Sequence, residues 1–197
     1  VAAIDKNSLP GDEITSLAHR GTIAVWRSHV LALREFVAGN KAWALILEDD
    51  AVLDPTYSWE SALEKATRAM DERGYEFLQI GFITHHYERR VQAALPPALR
   101  IALMKKWWHF EWLPGVRWVV PFSVRAGAHA YLIRRDLASK ILPYNDPVWI
   151  NPSSFYDHLA NKQHITAGVR MGRVAISMVE QESRTRDSRV DDSDVQR

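Results

Sequence analysis

The chain has 197 residues, 47% of them hydrophobic and 25% charged, with a formal net charge of +1, the length and composition of one globular domain. That balance gives no basis for a disordered or fibrous chain or for a nucleic-acid partner. The absence of cysteine excludes disulfides, thiolate metal sites and thiol nucleophiles. No stretch approaches the roughly 20 apolar residues of a membrane span, and residues 1–20 lack the pattern of a signal peptide, so a cytoplasmic protein is expected. Eight tryptophans, four of them between Trp107 and Trp118, exceed what a core of this size needs. They point to a ligand surface or an interface.

In chain order, Val1–Ile4 reads as a strand that runs into a loop at Pro10-Gly11. Ile23, Trp26, Val30, Leu33 and Val37 recur at three- and four-residue steps, which predicts an amphipathic helix over Gly21–Ala38, stopped by Gly39-Asn40. Ser28 and His29 lie on it, and by itself His29 reads as a half-buried core histidine. Residues 41–47 predict a strand. It ends in the acids Glu48, Asp49 and Asp50 before the chain turns apolar again at Ala51. Desolvated carboxylates need a partner, and ligands sit at the carboxyl ends of strands in open α/β sheets. A hard divalent cation shared with a phosphorylated ligand meets both conditions. Charge alone leaves this reading even with a solvated acidic turn.

Trp59 to Met70 steps helically towards Gly74, and Tyr75–Ile83 is β-prone, which completes a strand, helix, strand unit of the kind that builds parallel sheets. His85-His86 reads as a surface pair, because adjacent strand residues face opposite sides. Lys105–Trp118 mixes bases and aromatics around Pro114-Gly115 without a clean period. It is read as a loop that holds a glycan, with Trp107, Trp108 and Trp112 against the saccharide, as an irregular piece of core, or as a peripheral membrane contact. Gly127–Ile133 predicts a strand, Asp136 caps a following helix over Leu137–Leu142, and Ser154 is placed as the N-cap of a helix that carries Asp157. Apolar content falls beyond Val169. The expected organisation is one domain over 1–182 and a polar, poorly ordered tail over 183–197, where Asp192-Ser193-Asp194 lacks a preceding strand and is set aside.

Four segments in this order, Gly21-Thr-Ile-Ala-Val-Trp-Arg-Ser28-His29, Ala44-Leu-Ile-Leu-Glu48-Asp49-Asp50, Gly127-Ala-His-Ala-Tyr131-Leu-Ile-Arg-Arg135 and Tyr156-Asp157-His158-Leu159, resemble glycosyltransferase family 25. That family includes lipopolysaccharide, lipooligosaccharide and collagen galactosyltransferases. The resemblance implies a GT-A-like, Rossmann-type α/β/α sandwich with a mostly parallel central sheet. It also implies inverting transfer of a hexose, commonly galactose, from a UDP-sugar to a saccharide or glycoconjugate acceptor, with Mn²⁺ or Mg²⁺. On this match Glu48-Asp49-Asp50 is the family's form of the DxD motif. Asp50 binds the metal, Glu48 binds the metal or orients the donor, and Asp49 supports the strand end. Asp157 is the general base. Ser28 and His29 line the donor pocket, Gln181 and Ser188 reach the diphosphate, and Asp5 meets the base or ribose. The family opens with a strand that this chain does not carry, Val1–Asp5 resembling the second, and Ala24-Val25 replaces its usual Gly-Cys. The alternative expectation is a degenerate, non-catalytic nucleotide- or sugar-binding module of the same fold. A two-metal phosphohydrolase lacks a second ligand cluster.

Overall fold

The computed structural model describes residues 20–83, 110–121, 123–125, 127–144, 148, 151–161 and 169–181. These form four helices and eight strands. The order is α1 (Arg20–Ala38), β1 (Trp43–Leu47), β2 (Ala51–Leu53), α2 (Trp59–Glu72), β3 (Tyr75–Gly81), β4 (Glu111–Leu113), β5 (Arg117–Pro121), β6 (Ala130–Arg134), α3 (Arg135–Ile141), α4 (Pro152–Asn161), β7 (Arg170–Val174) and β8 (Val179–Gln181). The class is α/β, as the sequence predicts.

The sheet departs from expectation. Its order is β1-β6-β3-β7-β5-β4, with β8 beside both β3 and β2. Of the seven pairings among these strands, only β3 with β7 and β3 with β8 are parallel. The expected mostly parallel sheet is therefore corrected to a mixed, mostly antiparallel one. The physical reason is local. Strands β1 and β3, which flank α2, do run in the same direction, because each is antiparallel to β6. The slot between them is filled by β6 rather than left for direct pairing. Periodicity fixes a strand and its faces but not its neighbours.

Side-chain alternation along β6 divides the core. Tyr131 and Ile133 join Trp26, Leu33, Leu137, Phe155 and Tyr156 on the face covered by α1, α3 and α4. Ala130 and Leu132 join Leu78, Ile80, Leu113 and the Ala66–Met70 stripe of α2 on the other. The α1 stripe of Ile23, Trp26, Val30 and Leu33 is buried as its spacing predicts. At the end of α1 the Arg135 guanidinium donates to the carbonyls of Gly39 and Lys41 and stacks over Phe36, satisfying backbone oxygens at the helix terminus.

Other local expectations also change. Residues 111–118 of the aromatic stretch belong to a β4–β5 hairpin rather than to an aperiodic loop. Its turn approaches α2 so closely that a Cβ on Gly115, at φ +87°, would lie 2.2 Å from the Ala62 carbonyl oxygen. Strands β7 and β8 lie in a region whose falling apolar content announces no core element. Asn151 rather than Ser154 caps α4, its side-chain oxygen accepting from the Ser154 backbone N–H at 2.8 Å, with Pro152 in the first helical position. The readings of Val1–Ile4, His85-His86 and the 183–197 tail lie outside the described residues.

Candidate functional site

The acids sit where β1 leaves the sheet. The Glu48 backbone N–H donates to the His129 carbonyl at 2.9 Å, extending the β1–β6 ladder by one residue, and the Ala51 N–H donates to the Glu48 carbonyl at 3.1 Å, closing a turn over Asp49-Asp50. Strand β2 then pairs with β8 so that Ala51 faces Gln181. This register brings the Gln181 amide between the two carboxylates, its Nε2 lying 3.4 Å from both Glu48 Oε2 and Asp50 Oδ2.

Burial, then the nearby charges of Glu48 and Asp49, raise the Asp50 carboxyl above its ordinary value of 3.8, against the opposing influence of His129 and Gln181. Its Oδ1 is buried with no hydrogen-bond partner. A buried acceptor left in that state beside two other carboxylates is costly. Asp49 itself is exposed.

His29, 4% exposed, reaches the acids from α1. Its Nε2 lies 3.3 Å from Glu48 Oε1 and its Nδ1 lies 2.8 Å from the Tyr131 hydroxyl, which in turn accepts from the Tyr156 hydroxyl at 2.8 Å. The His29 and Tyr131 rings stack at 5.7 Å, and Phe77 stacks on both tyrosines. Burial holds both phenols well above their ordinary values, so each remains a neutral O–H donor.

A second imidazole lies close by. His129 is buried, its Nε2 donating an N–H to the Val179 carbonyl at 3.0 Å, and its Nδ1 is buried without a hydrogen-bond partner. Gly81 and Gly127 make room for the ring. A Cβ on Gly81 would lie 2.7 Å from it, and one on Gly127, at φ +92°, would lie 3.1 Å from Nδ1.

Of the residues read from sequence, the structure thus gathers His29, Glu48, Asp50 and Gln181. The Ser28 hydroxyl donates to the Ala24 carbonyl one turn back along α1. Asp157 is exposed on α4, one residue after Tyr156. Trp112 is 48% exposed on β4, at the opposite end of the strand order from β1, with its ring edge-on to Trp118 at 5.1 Å. Asp5, Trp107, Trp108 and Ser188 lie outside the described residues. Sequence reading missed Tyr131, Tyr156 and His129 as members of the site. Their positions in a strand and a helix read as core, and only tertiary placement brings their polar atoms to the acids.

Among the described residues no group of three or more His, Asp or Glu side chains is placed to hold a metal ion. A Mg²⁺ or Mn²⁺ site does not require one, since these ions are commonly held by one or two carboxylates together with substrate phosphates. The donor set fits that pattern. The orphaned Asp50 Oδ1 and the adjacent Glu48 carboxylate are hard oxygens, and the positive end of the Gln181 amide already stands between the two side chains. No helix among the described residues is long and apolar enough to cross a membrane. A groove of about 530 Å³ runs between α1 and β1 from Gly39 to Leu47, and its lining stops one residue short of Glu48.

No protein-family model matches the chain, and no curated protein matches it significantly.

Proposed function

We propose that this chain is a metal-dependent inverting glycosyltransferase of GT-A-like fold, which moves a hexose, galactose in the leading case, from a UDP-sugar to a saccharide or glycoconjugate acceptor. The observation that carries the reading is the buried, unpartnered Oδ1 of Asp50 beside Glu48 at the carboxyl end of β1, with Gln181 between the two carboxylates. That arrangement calls for a cation and leaves room in its shell for the ligand's own oxygens. Asp50 and Glu48 are the residues that would hold Mn²⁺ or Mg²⁺, which when bound supplies Lewis-acid neutralisation of the departing diphosphate.

The chain's own groups have separate tasks. Glu48, fixed on one side by His29, orients the donor, and the Gln181 amide offers an N–H to diphosphate oxygens. Asp157, which the family resemblance alone assigns as the base, takes the proton of the acceptor hydroxyl while that oxygen forms its bond to the anomeric carbon. The bond from that carbon to the diphosphate oxygen breaks in the same displacement, and its electron pair leaves with UDP. Attack on the face opposite the leaving group inverts the configuration. Trp112, on an exposed hairpin, is assigned to the acceptor.

The test is release of UDP from a panel of UDP-hexoses, with and without Mn²⁺. Turnover that needs Mn²⁺ and is lost in Asp50→Ala is expected, and wild-type turnover in that variant overturns the metal assignment. That no group of three or more metal-ligating side chains occurs among the described residues favours one rival, a non-catalytic nucleotide-binding module. Calorimetry that finds no Mn²⁺-dependent UDP binding, together with no turnover of any UDP-hexose, selects that rival.

A further inference from the structure

The hydrogen bonds around His29 admit only one arrangement that leaves no buried proton stranded. Tyr156 donates to the Tyr131 oxygen, Tyr131 donates to His29 Nδ1, and His29 Nε2–H donates to Glu48 Oε1. Tyr131 and Tyr156 are 0% and 1% exposed, so neither hydroxyl can turn to water instead. Suppose His29 carried its proton on Nδ1. The Nε2 lone pair would then face a carboxylate oxygen at 3.3 Å, and one of the two phenol protons would have no acceptor. A doubly protonated ring removes the first fault but keeps the second. The tautomer is therefore held at both nitrogens, by Glu48 at Nε2 and, from inside the core, at Nδ1 by two tyrosines on elements remote in sequence from the acids.

We propose that Tyr131, backed by Tyr156, is a positioning residue for the acidic site: its hydroxyl fixes His29 in the Nε2–H form, and that N–H selects which oxygen of Glu48 is tied back and which faces the ligand. With Oε1 held by His29, Oε2 is the oxygen turned towards Gln181. This rests on the acids being the donor site proposed above. The stacking of Tyr131 on His29 and of Phe77 on Tyr131 holds the rings in plane for the bonds, so the chain is fixed by packing as well as by its polar atoms. Partners that orient a ligating or substrate-binding group from behind in this way commonly change activity about 10–100-fold when removed.

The decisive measurement needs neither donor nor metal. In the ¹⁵N-labelled, metal-free full chain at neutral pH, long-range ¹H–¹⁵N spectra of the histidines are expected to show His29 with a protonated, pyrrole-type Nε2 and a bare, pyridine-type Nδ1. In Tyr131→Phe the two nitrogen shifts should move towards one another as the tautomers mix. A wild-type His29 protonated on Nδ1 overturns the proposal whether or not the variant folds, and so do unchanged His29 shifts in a folded Tyr131→Phe. The functional arm is a double-mutant cycle on kcat/KM for the UDP-hexose. His29→Ala is expected to lower it about 10–100-fold, and Tyr131→Phe added to His29→Ala should cost nothing more, because Tyr131 acts through His29. Additive losses refute the positioning role. Absence of turnover in the wild type refutes the transferase reading instead, and the His29 spectrum still decides the hydrogen-bond assignment.

Discussion

Replacing Asp50 with asparagine should stabilise the metal-free protein while abolishing its response to Mn²⁺ and UDP. The native carboxyl is raised above its ordinary value by burial and by Glu48 and Asp49. The folded state therefore holds its proton more tightly than the unfolded chain, and ionising Asp50 costs stability. Below 3.8 the side chain is neutral in both states and the cost is zero; it grows as pH rises through the gap and is complete above the raised native value. An amide of the same shape escapes it. An unsatisfied buried polar atom costs about 1–3 kcal/mol, and since the substituted amide keeps part of that deficit a net gain of about 1 kcal/mol at pH 7 is expected. For a domain of this size that raises the thermal midpoint by about 2–4 °C.

The assay is thermal unfolding followed by circular dichroism from pH 7 downwards, with and without Mn²⁺ and UDP. The advantage of the variant should shrink as pH falls and vanish near 3.8. With the pair at about 100 times its dissociation constant, the wild type should gain roughly 2.7 kcal/mol and the variant almost nothing. A variant no more stable than wild type at pH 7, or an equal rise in both midpoints on adding Mn²⁺ and UDP, would refute the reasoning.

Other substitutions separate packing from site chemistry. Gly115→Ala places a Cβ against the Ala62 carbonyl at a positive φ and should cost roughly 2–5 kcal/mol in urea unfolding; a loss below about 1 kcal/mol would mean that the hairpin does not seat on α2 as described. Tyr156→Phe removes one donor and should cost about 1 kcal/mol, whereas Tyr131→Phe strands both the Tyr156 proton and the His29 lone pair and should cost about 2–4 kcal/mol. Equal losses would show that the two hydroxyls are not in series. Trp112→Ala forfeits an edge-on contact with Trp118, about 0.5–1.5 kcal/mol, and should raise the acceptor KM with kcat unchanged. An unaltered KM removes Trp112 from the acceptor surface.

The legible part of the fold is the part written in local periodicity. The α1 stripe, the run that ends in Glu48, the α2 face and the Phe77–Ile80 strand all appear within a residue or two of their sequence-predicted places, because each buries one face or both and its composition says so. Strand β7 is hidden for a specific reason. Its Arg-Met-Gly-Arg-Val carries a fully buried Arg173, held by Ser123 Oγ at 3.1 Å, by the Val174 carbonyl and by the ring of Phe82, so a polar residue stands where a core strand shows an apolar one. Similarly, the acids of the site are visible as a charge anomaly, while His29 and Gln181 stand out only through the family resemblance. Tyr131 and Tyr156 read as ordinary core aromatics, since a hydroxyl's partner cannot be inferred from the spacing of the chain that carries it.

The insertion of β6 between β1 and β3 has a consequence for the order of assembly during synthesis. Trp43 pairs with Arg134, and Ala51 with Gln181, contacts that close loops of roughly ninety and a hundred and thirty residues, a costly kind of pairing that slows folding. Strands β1 and β3 leave the ribosome long before the strand that joins them. Until β6 arrives, Trp43–Leu47 has one unsatisfied edge more than in the finished sheet. The carboxylate turn is completed later still, when β8 delivers Gln181, so the acidic site takes its native form only after β1, β6 and β3 have joined.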